Sequence, residues 1–140
     1  MTQVNVTKSI NVPAEAAWDK ISTFRGIEEF SPIERSVVEG SGVGALRTCY
    51  MPDNVIINEK LNQVDDEHMK LEYEILSGPF PITGYVSTVQ VTSLDDNNCQ
   101  ISWGAKYEVG TEAETEMKNL FEGFYNVIIT SLEALINNKN

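Results

Sequence analysis

The chain is poor in the residues that most hydrolytic and metal-dependent sites rely on. It has one histidine, His68, in a stretch that reads as a solvated turn. A histidine-based triad and a multi-histidine metal site are therefore excluded. Its two cysteines, Cys49 and Cys99, fall on separate predicted strands with no Cys-x-x-Cys spacing. Both read as reduced thiols in or near the core. Lys and Arg number 10 against 21 Asp and Glu, a net charge of −11. Such a surface repels nucleic acid and anionic membranes, so neither is expected as a partner. No apolar run approaches the ~20 residues needed to cross a bilayer. Residues 1–5 show no basic segment leading into an apolar stretch, so a cytoplasmic location is expected. No GxGxxG or phosphate loop occurs, and no metal or organic cofactor is expected.

What is present is a core. Apolar residues make up 41% of 140 positions, enough for one domain over residues 1–140. Residues 2–11 alternate loosely and read as a strand. Pro13 suits the first position of a helix whose apolar stripe is Ala14, Ala16, Ala17, Trp18, Ile21 and Phe24. Gly26 interrupts that helix, and a second short one is expected over residues 27–30. Strands are then expected over residues 35–39, 45–51, 55–64, 69–76, 82–94 and 100–109, separated by turns rich in Gly, Pro, Asp and Asn. Short polar turns between consecutive strands mean an antiparallel meander. The last element is a long helix. Thr111 and Glu114 fit a capping box. Met117, Leu120, Phe121, Phe124, Ile128, Leu132 and Leu135 then recur at helical spacing. About 25 residues at 1.5 Å each span ~37 Å, enough to cross a whole sheet. The fold class is α+β: a curved antiparallel sheet closed by its C-terminal helix. Such a sheet often leaves interior space, which becomes a ligand cavity.

Arg47 and Glu59 are the charged residues of interest. If the turn centres on Asp53, they are cross-strand neighbours with Cβ atoms ~5 Å apart. Their same-face flanks are Cys49, Met51, Ile57 and Leu61, which suit an interior. A charged pair there is costly to desolvate and easier to explain if it meets a polar ligand group. A one-residue slip would instead make it an exposed cross-strand salt bridge, and both registers stay open at this point. Tyr73, Tyr85 and Tyr107 fall on the same inner faces, either as plain aromatic core or as pocket hydroxyls. Trp103, Phe124 and Ile128 are expected as core or pocket wall. The run Gly40-Ser41-Gly42-Val43-Gly44 reads as a turn or a gate at a pocket mouth, since no helix follows it. Gly123, mid-helix, admits a close neighbour or is plain packing.

In this order the motifs resemble the START-like superfamily, in its polyketide cyclase/dehydrase and birch-pollen-allergen group. They are Val-Pro-Ala-Glu-Ala-Ala-Trp (12–18), Gly-Ala-Leu-Arg (44–47), Asn-Glu-Lys-Leu (58–61) and Leu-Glu-Tyr-Glu-Ile (71–75), then Pro-Ile-Thr-Gly-Tyr-Val-Ser-Thr (81–88), Ile-Ser-Trp (101–103) and the terminal helix. The resemblance covers nearly the whole chain and implies a helix-grip fold with a seven-stranded sheet. The middle section is most similar to lachrymatory-factor-synthase-like proteins. There an arginine and a glutamate matching Arg47 and Glu59 transfer protons, and tyrosines matching Tyr73 and Tyr85 line the pocket. Abscisic-acid receptors keep similar positions for binding alone. Phe30 stands where many relatives have tryptophan, and the receptors' lysine has no counterpart, which argues against hormone reception. Two functions are expected to compete. One is binding of a small hydrophobic or amphipathic molecule, with Arg47 as anchor. The other is cofactor-free cyclase, dehydratase or isomerase chemistry at Glu59 and Arg47. A monomer or weak homodimer is expected.

Overall fold

Turn chemistry spaced along the chain produces the expected meander. The computed structural model describes residues 1–138. β1 (Thr2–Ile10) leads into α1 (Ala14–Ser22) and a 3₁₀ turn over Ile27–Phe30. Then come β2 (Arg35–Glu39), β3 (Leu46–Met51), β4 (Val55–Asp65), β5 (Lys70–Ser77), β6 (Ile82–Asp95) and β7 (Asn98–Val109), and finally α2 (Glu114–Asn137). The seven strands form one antiparallel sheet in the order β1-β7-β6-β5-β4-β3-β2. No helix among the described residues is long and apolar enough to cross a membrane.

One face of the sheet is covered and the other wet, as period-2 alternation requires. On β5, Leu71 and Tyr73 are buried while Lys70 is exposed. On β7, Cys99, Ile101, Trp103, Ala105 and Tyr107 all turn inward. α2 closes that inner face with Met117, Phe121, Tyr125, Ile128, Ile129 and Leu132. This stripe is rotated from the one expected. Leu120 is 44% exposed, while Tyr125 and Ile129 take buried places. Periodicity alone leaves a helix free to turn by one residue, about 100°, and packing decides.

Both helix starts differ in detail from expectation. Pro13 is the residue before α1, extended at φ −61° and ψ 145°. Its carbonyl accepts from the N–H groups of Ala16 and Ala17. α1 ends at Ser22, short of Phe24, which takes a left-handed backbone with φ 63°. The capping box does not form, because Thr111–Ala113 winds into a 3₁₀ turn ahead of α2. The Glu114 carboxylate instead accepts from Thr2 Oγ1 at 2.7 Å, tying β1 to the helix start. Glu114 and Glu116 still complement the positive end of α2.

Gly123 has no close neighbour: a Cβ built there meets nothing within 4 Å. Of the two readings, a close neighbour is absent among the described residues, so the glycine costs helix stability with nothing visible in return. Gly123→Ala is expected to stabilise the protein by about 1 kcal/mol, read as a higher urea midpoint. A lower midpoint would mean that α2 needs the glycine.

Candidate functional site

The β3–β4 hairpin sets the polar centre of the interior. Its register pairs Arg47 with Glu59 and Cys49 with Ile57, and both charged residues point inward, 5% and 8% exposed. The β4–β5 pairing shifts beside Glu59, between Asn58 and Glu59, a bulge of the kind that re-aims a side chain. Arg47 Nε donates to Glu59 Oε1 at 2.6 Å. The Cys49 thiol lies 3.4 Å from the same oxygen and donates to it. Nη1 of Arg47 reaches the Phe24 carbonyl at 3.4 Å, and the guanidinium lies 3.8 Å above the Phe24 ring. The left-handed backbone at Phe24, unusual for a bulky residue, thus brings both its ring and its carbonyl to Arg47. Burial disfavours the Arg47 cation, but Glu59, with Cys49 and Tyr73 beside it, outweighs this and holds Arg47 above its ordinary pKa.

Above this pair the sheet and α2 do not close. They leave a cavity of about 270 Å³. Its wall is Met51, Pro52, Val55 and Ile57 from the hairpin, Ile75 on β5, Pro79 and Phe80 after it, and Leu120, Phe121 and Phe124 on α2. The polar groups on that wall are Glu59, Tyr73, Tyr85 and Tyr125. The Tyr85 and Tyr125 hydroxyls hydrogen-bond to each other. Tyr73 OH accepts from Trp103 Nε1 at 3.2 Å. Burial pushes all three phenols up, Tyr85 and Tyr125 well above the ordinary value. They are neutral hydroxyls at any physiological pH.

Four of the residues expected at the site line this cavity: Glu59, Tyr73, Tyr85 and Phe124. The others stand behind it. Arg47 borders a separate gap of about 10 Å³ beside Phe24, room for one water at most. Trp103 supports Tyr73 from that side. Tyr107 stacks on Tyr85 with ring centroids 6.2 Å apart, its own hydroxyl buried without a partner among the described residues. Ile128 is core. The glycine-rich turn contributes no wall residue, because it joins β2 to β3 while the wall here comes from the β3–β4 and β5–β6 connections. Its glycines serve the turn itself: Gly40, Gly42 and Gly44 all have positive φ. Tyr125 was not foreseen. The signal was its place on α2, four residues after Phe121 and three before Ile128, on the stripe that packing selects.

Both cysteines are free and buried. Burial raises the Cys49 thiol far above its usual pKa and pushes Cys99 up to about 11. Neither is the thiolate that reacts. Ellman's reagent at pH 8 is therefore expected to find no fast-reacting thiol in the folded protein and both in denaturant. A rapid native reaction would contradict the burial. His68 is exposed and pairs with Asp65 at 2.8 Å, and no group of side chains among the described residues is arranged to hold a metal ion.

Residues 1–137 match the model of a family described as polyketide cyclase / dehydrase and lipid transport. Among solved structures, the protein XoxI from Bacillus cereus is 27% identical, with a TM-score of 0.89, and 100% of this chain aligns with 99% of that one. An uncharacterised Bacillus thuringiensis protein is 26% identical, with a TM-score of 0.86 and 96% and 98% of the two chains covered. Norcoclaurine synthase from Thalictrum flavum, solved with dopamine and hydroxybenzaldehyde, is 18% identical, with a TM-score of 0.81 and 99% and 88% covered. At that identity the likeness is one of fold. No sequence among the curated proteins matches the chain. The seven-stranded sheet gripping a long C-terminal helix agrees with the family match over nearly the whole length. The chain therefore belongs to the polyketide cyclase/dehydrase and lipid-transport family, within the START-like superfamily.

Proposed function

We propose that the protein binds a small, largely apolar ligand in the cavity between the sheet and α2. The observation that carries this reading is the Glu59 carboxylate. It is held on one side by Arg47 and Cys49 and lines a cavity whose other walls are mostly apolar. A buried ion pair adds little to stability, so a carboxylate held by one and open to a cavity is explained by a ligand's polar group. Arg47 acts here as a positioning residue behind Glu59, not as the anchor, because its guanidinium is engaged by Glu59 and Phe24.

A second reading, cofactor-free turnover by a cyclase, dehydratase or isomerase, draws on the same carboxylate. Glu59 would move the proton, and Tyr73 or Tyr85 would orient a substrate oxygen. The family description, which names cyclases and dehydrases as well as lipid transport, favours keeping it.

Native mass spectrometry after incubation with a cell metabolite extract tests both. A persistent added mass is expected on the wild type and not on Ile75→Trp, which fills the cavity opposite Glu59. No added mass, or the same mass on both proteins, would contradict binding at this cavity. Loss of an extract component with build-up of a rearranged product, abolished by Glu59→Gln, would instead establish turnover.

A further inference from the structure

The polar groups of the cavity differ in what they leave unsatisfied, and the difference specifies a ligand. Glu59 Oε1 accepts from both Arg47 Nε and Cys49 Sγ. No donor among the described residues reaches Oε2, although Glu59 lines the cavity. On the β6 and α2 side, Tyr85 and Tyr125 share one hydrogen bond between their hydroxyls. One of them donates it. The other keeps a proton with no acceptor among the described residues. Tyr73, the other hydroxyl on the wall, is already engaged by Trp103 and Ser87, so the cavity offers one strong acceptor from β4 and one donor from the tyrosine pair.

Charge narrows the class further. Among the described residues, no Lys, Arg or His lines the cavity. The nearby cation, Arg47, is tied to Glu59 and sandwiched against Phe24, with Tyr73 at 5.2 Å on its other contact. A ligand carboxylate would lose its hydration and meet another carboxylate with no free cation to pair with. An ammonium would face a carboxylate whose charge Arg47 already balances. A neutral molecule avoids both costs.

We propose that the cavity selects an uncharged, mainly apolar molecule with a hydroxyl at one end, donated to Glu59 Oε2, and a carbonyl-type acceptor at the other, bonded by the Tyr85–Tyr125 pair. This inference rests on the cavity being the ligand site, as proposed above. It replaces Arg47, the anchor expected from the sequence, with the free oxygen of Glu59.

Isothermal titration at pH 7 with four ring-matched probes tests it. They are an acetylnaphthol with hydroxyl and acetyl groups at opposite ends, its methyl ether, naphthol without the acetyl group, and the corresponding hydroxynaphthoate. A hydrogen bond to a charged acceptor is worth about 1.5–3 kcal/mol, so the acetylnaphthol is expected to bind about tenfold or more tighter than the ether. The hydroxynaphthoate is expected to be weaker than the acetylnaphthol by at least the same factor. In Tyr85→Phe/Tyr125→Phe, the advantage of the acetylnaphthol over naphthol should disappear. Removing both hydroxyls together leaves neither unsatisfied; should the variant not fold, the wild-type series alone decides. A carboxylate that binds as tightly as the acetylnaphthol, or an ether that does, overturns the proposal. If none of the four binds the wild type, the cavity reading itself fails and this inference falls with it.

Discussion

Arg47→Leu is expected to lower stability by about 3–5 kcal/mol, the cost of leaving a buried carboxylate without its partner. Glu59 is 8% exposed and takes its shortest hydrogen bond, 2.6 Å, from Arg47. The substitution removes that donor, the contact over Phe24 and the bond to the Phe24 carbonyl. The left-handed backbone at Phe24 then loses the interaction that holds it in place. In a domain of this size the loss corresponds to roughly 10 °C or more in Tm. Arg47→Leu/Glu59→Leu is expected to regain most of it, because two well-packed apolar residues replace a pair that is expensive to desolvate. Urea unfolding of the two variants checks both statements. A loss under about 1 kcal/mol in the single variant, a value usual for surface pairs, would mean the pair is solvated in solution. A double variant no better than the single one would mean the ion pair itself supports the fold.

The second large effect separates the core from the cavity wall on the same helix. Leu132 is fully buried between α2 and the sheet. Leu132→Ala is expected to cost about 2–5 kcal/mol, since removing packed atoms also leaves a cavity. Phe124 is only partly buried, and one side of its ring already borders open space. Phe124→Ala is expected to cost less than half as much. Its effect falls on binding, with about tenfold weaker affinity for an apolar probe, equivalent to ~1.4 kcal/mol of lost contact. Leu132→Ala, by contrast, should leave the affinity of the protein that remains folded within about twofold. Urea unfolding and probe titration on both variants give the four values. Equal stability losses, or a binding loss confined to Leu132→Ala, would place the functional surface elsewhere than at Phe124.

Most of the fold was legible in the sequence because its signals are local. Alternation along residues 69–76 and 100–109, with Asp-Asn and Gly-Pro turns between strands, defines β5 to β7 to within two residues. The Arg47–Glu59 pairing followed from the length of one turn, and the observed register has it. Which face that pair occupied was not legible. It depends on the β4 bulge beside Glu59 and on what packs over the hairpin, and neither is set by nearby residues. The rotation of α2 was lost for the same reason, and with it Tyr125. Nor could local pattern distinguish the wall from the second layer. Trp103 and Tyr107 alternate as regularly as Tyr73 and Tyr85 do, yet of the four the latter two line the cavity. A cavity is volume that side chains from distant parts of the chain leave unfilled. Phe24 is the sharpest case: it read as the end of a helical stripe, whereas its left-handed turn brings its ring and carbonyl to Arg47.

Entry of the ligand beneath α2, as proposed, is read by methyl NMR at the two faces of β4. Ile56 and Ile57 are adjacent on β4 but face opposite ways: Ile56 is 46% exposed on the outer surface, and Ile57 lines the cavity with Ile75. On titration with the acetylnaphthol, the δ1 methyls of Ile57 and Ile75 should shift progressively and saturate. Those of Ile56 and of the core residue Ile101 should stay within a small fraction of that change. Saturable shifts centred on Ile56, with Ile57 and Ile75 unmoved, would put the ligand on the outer face of the sheet and contradict the account.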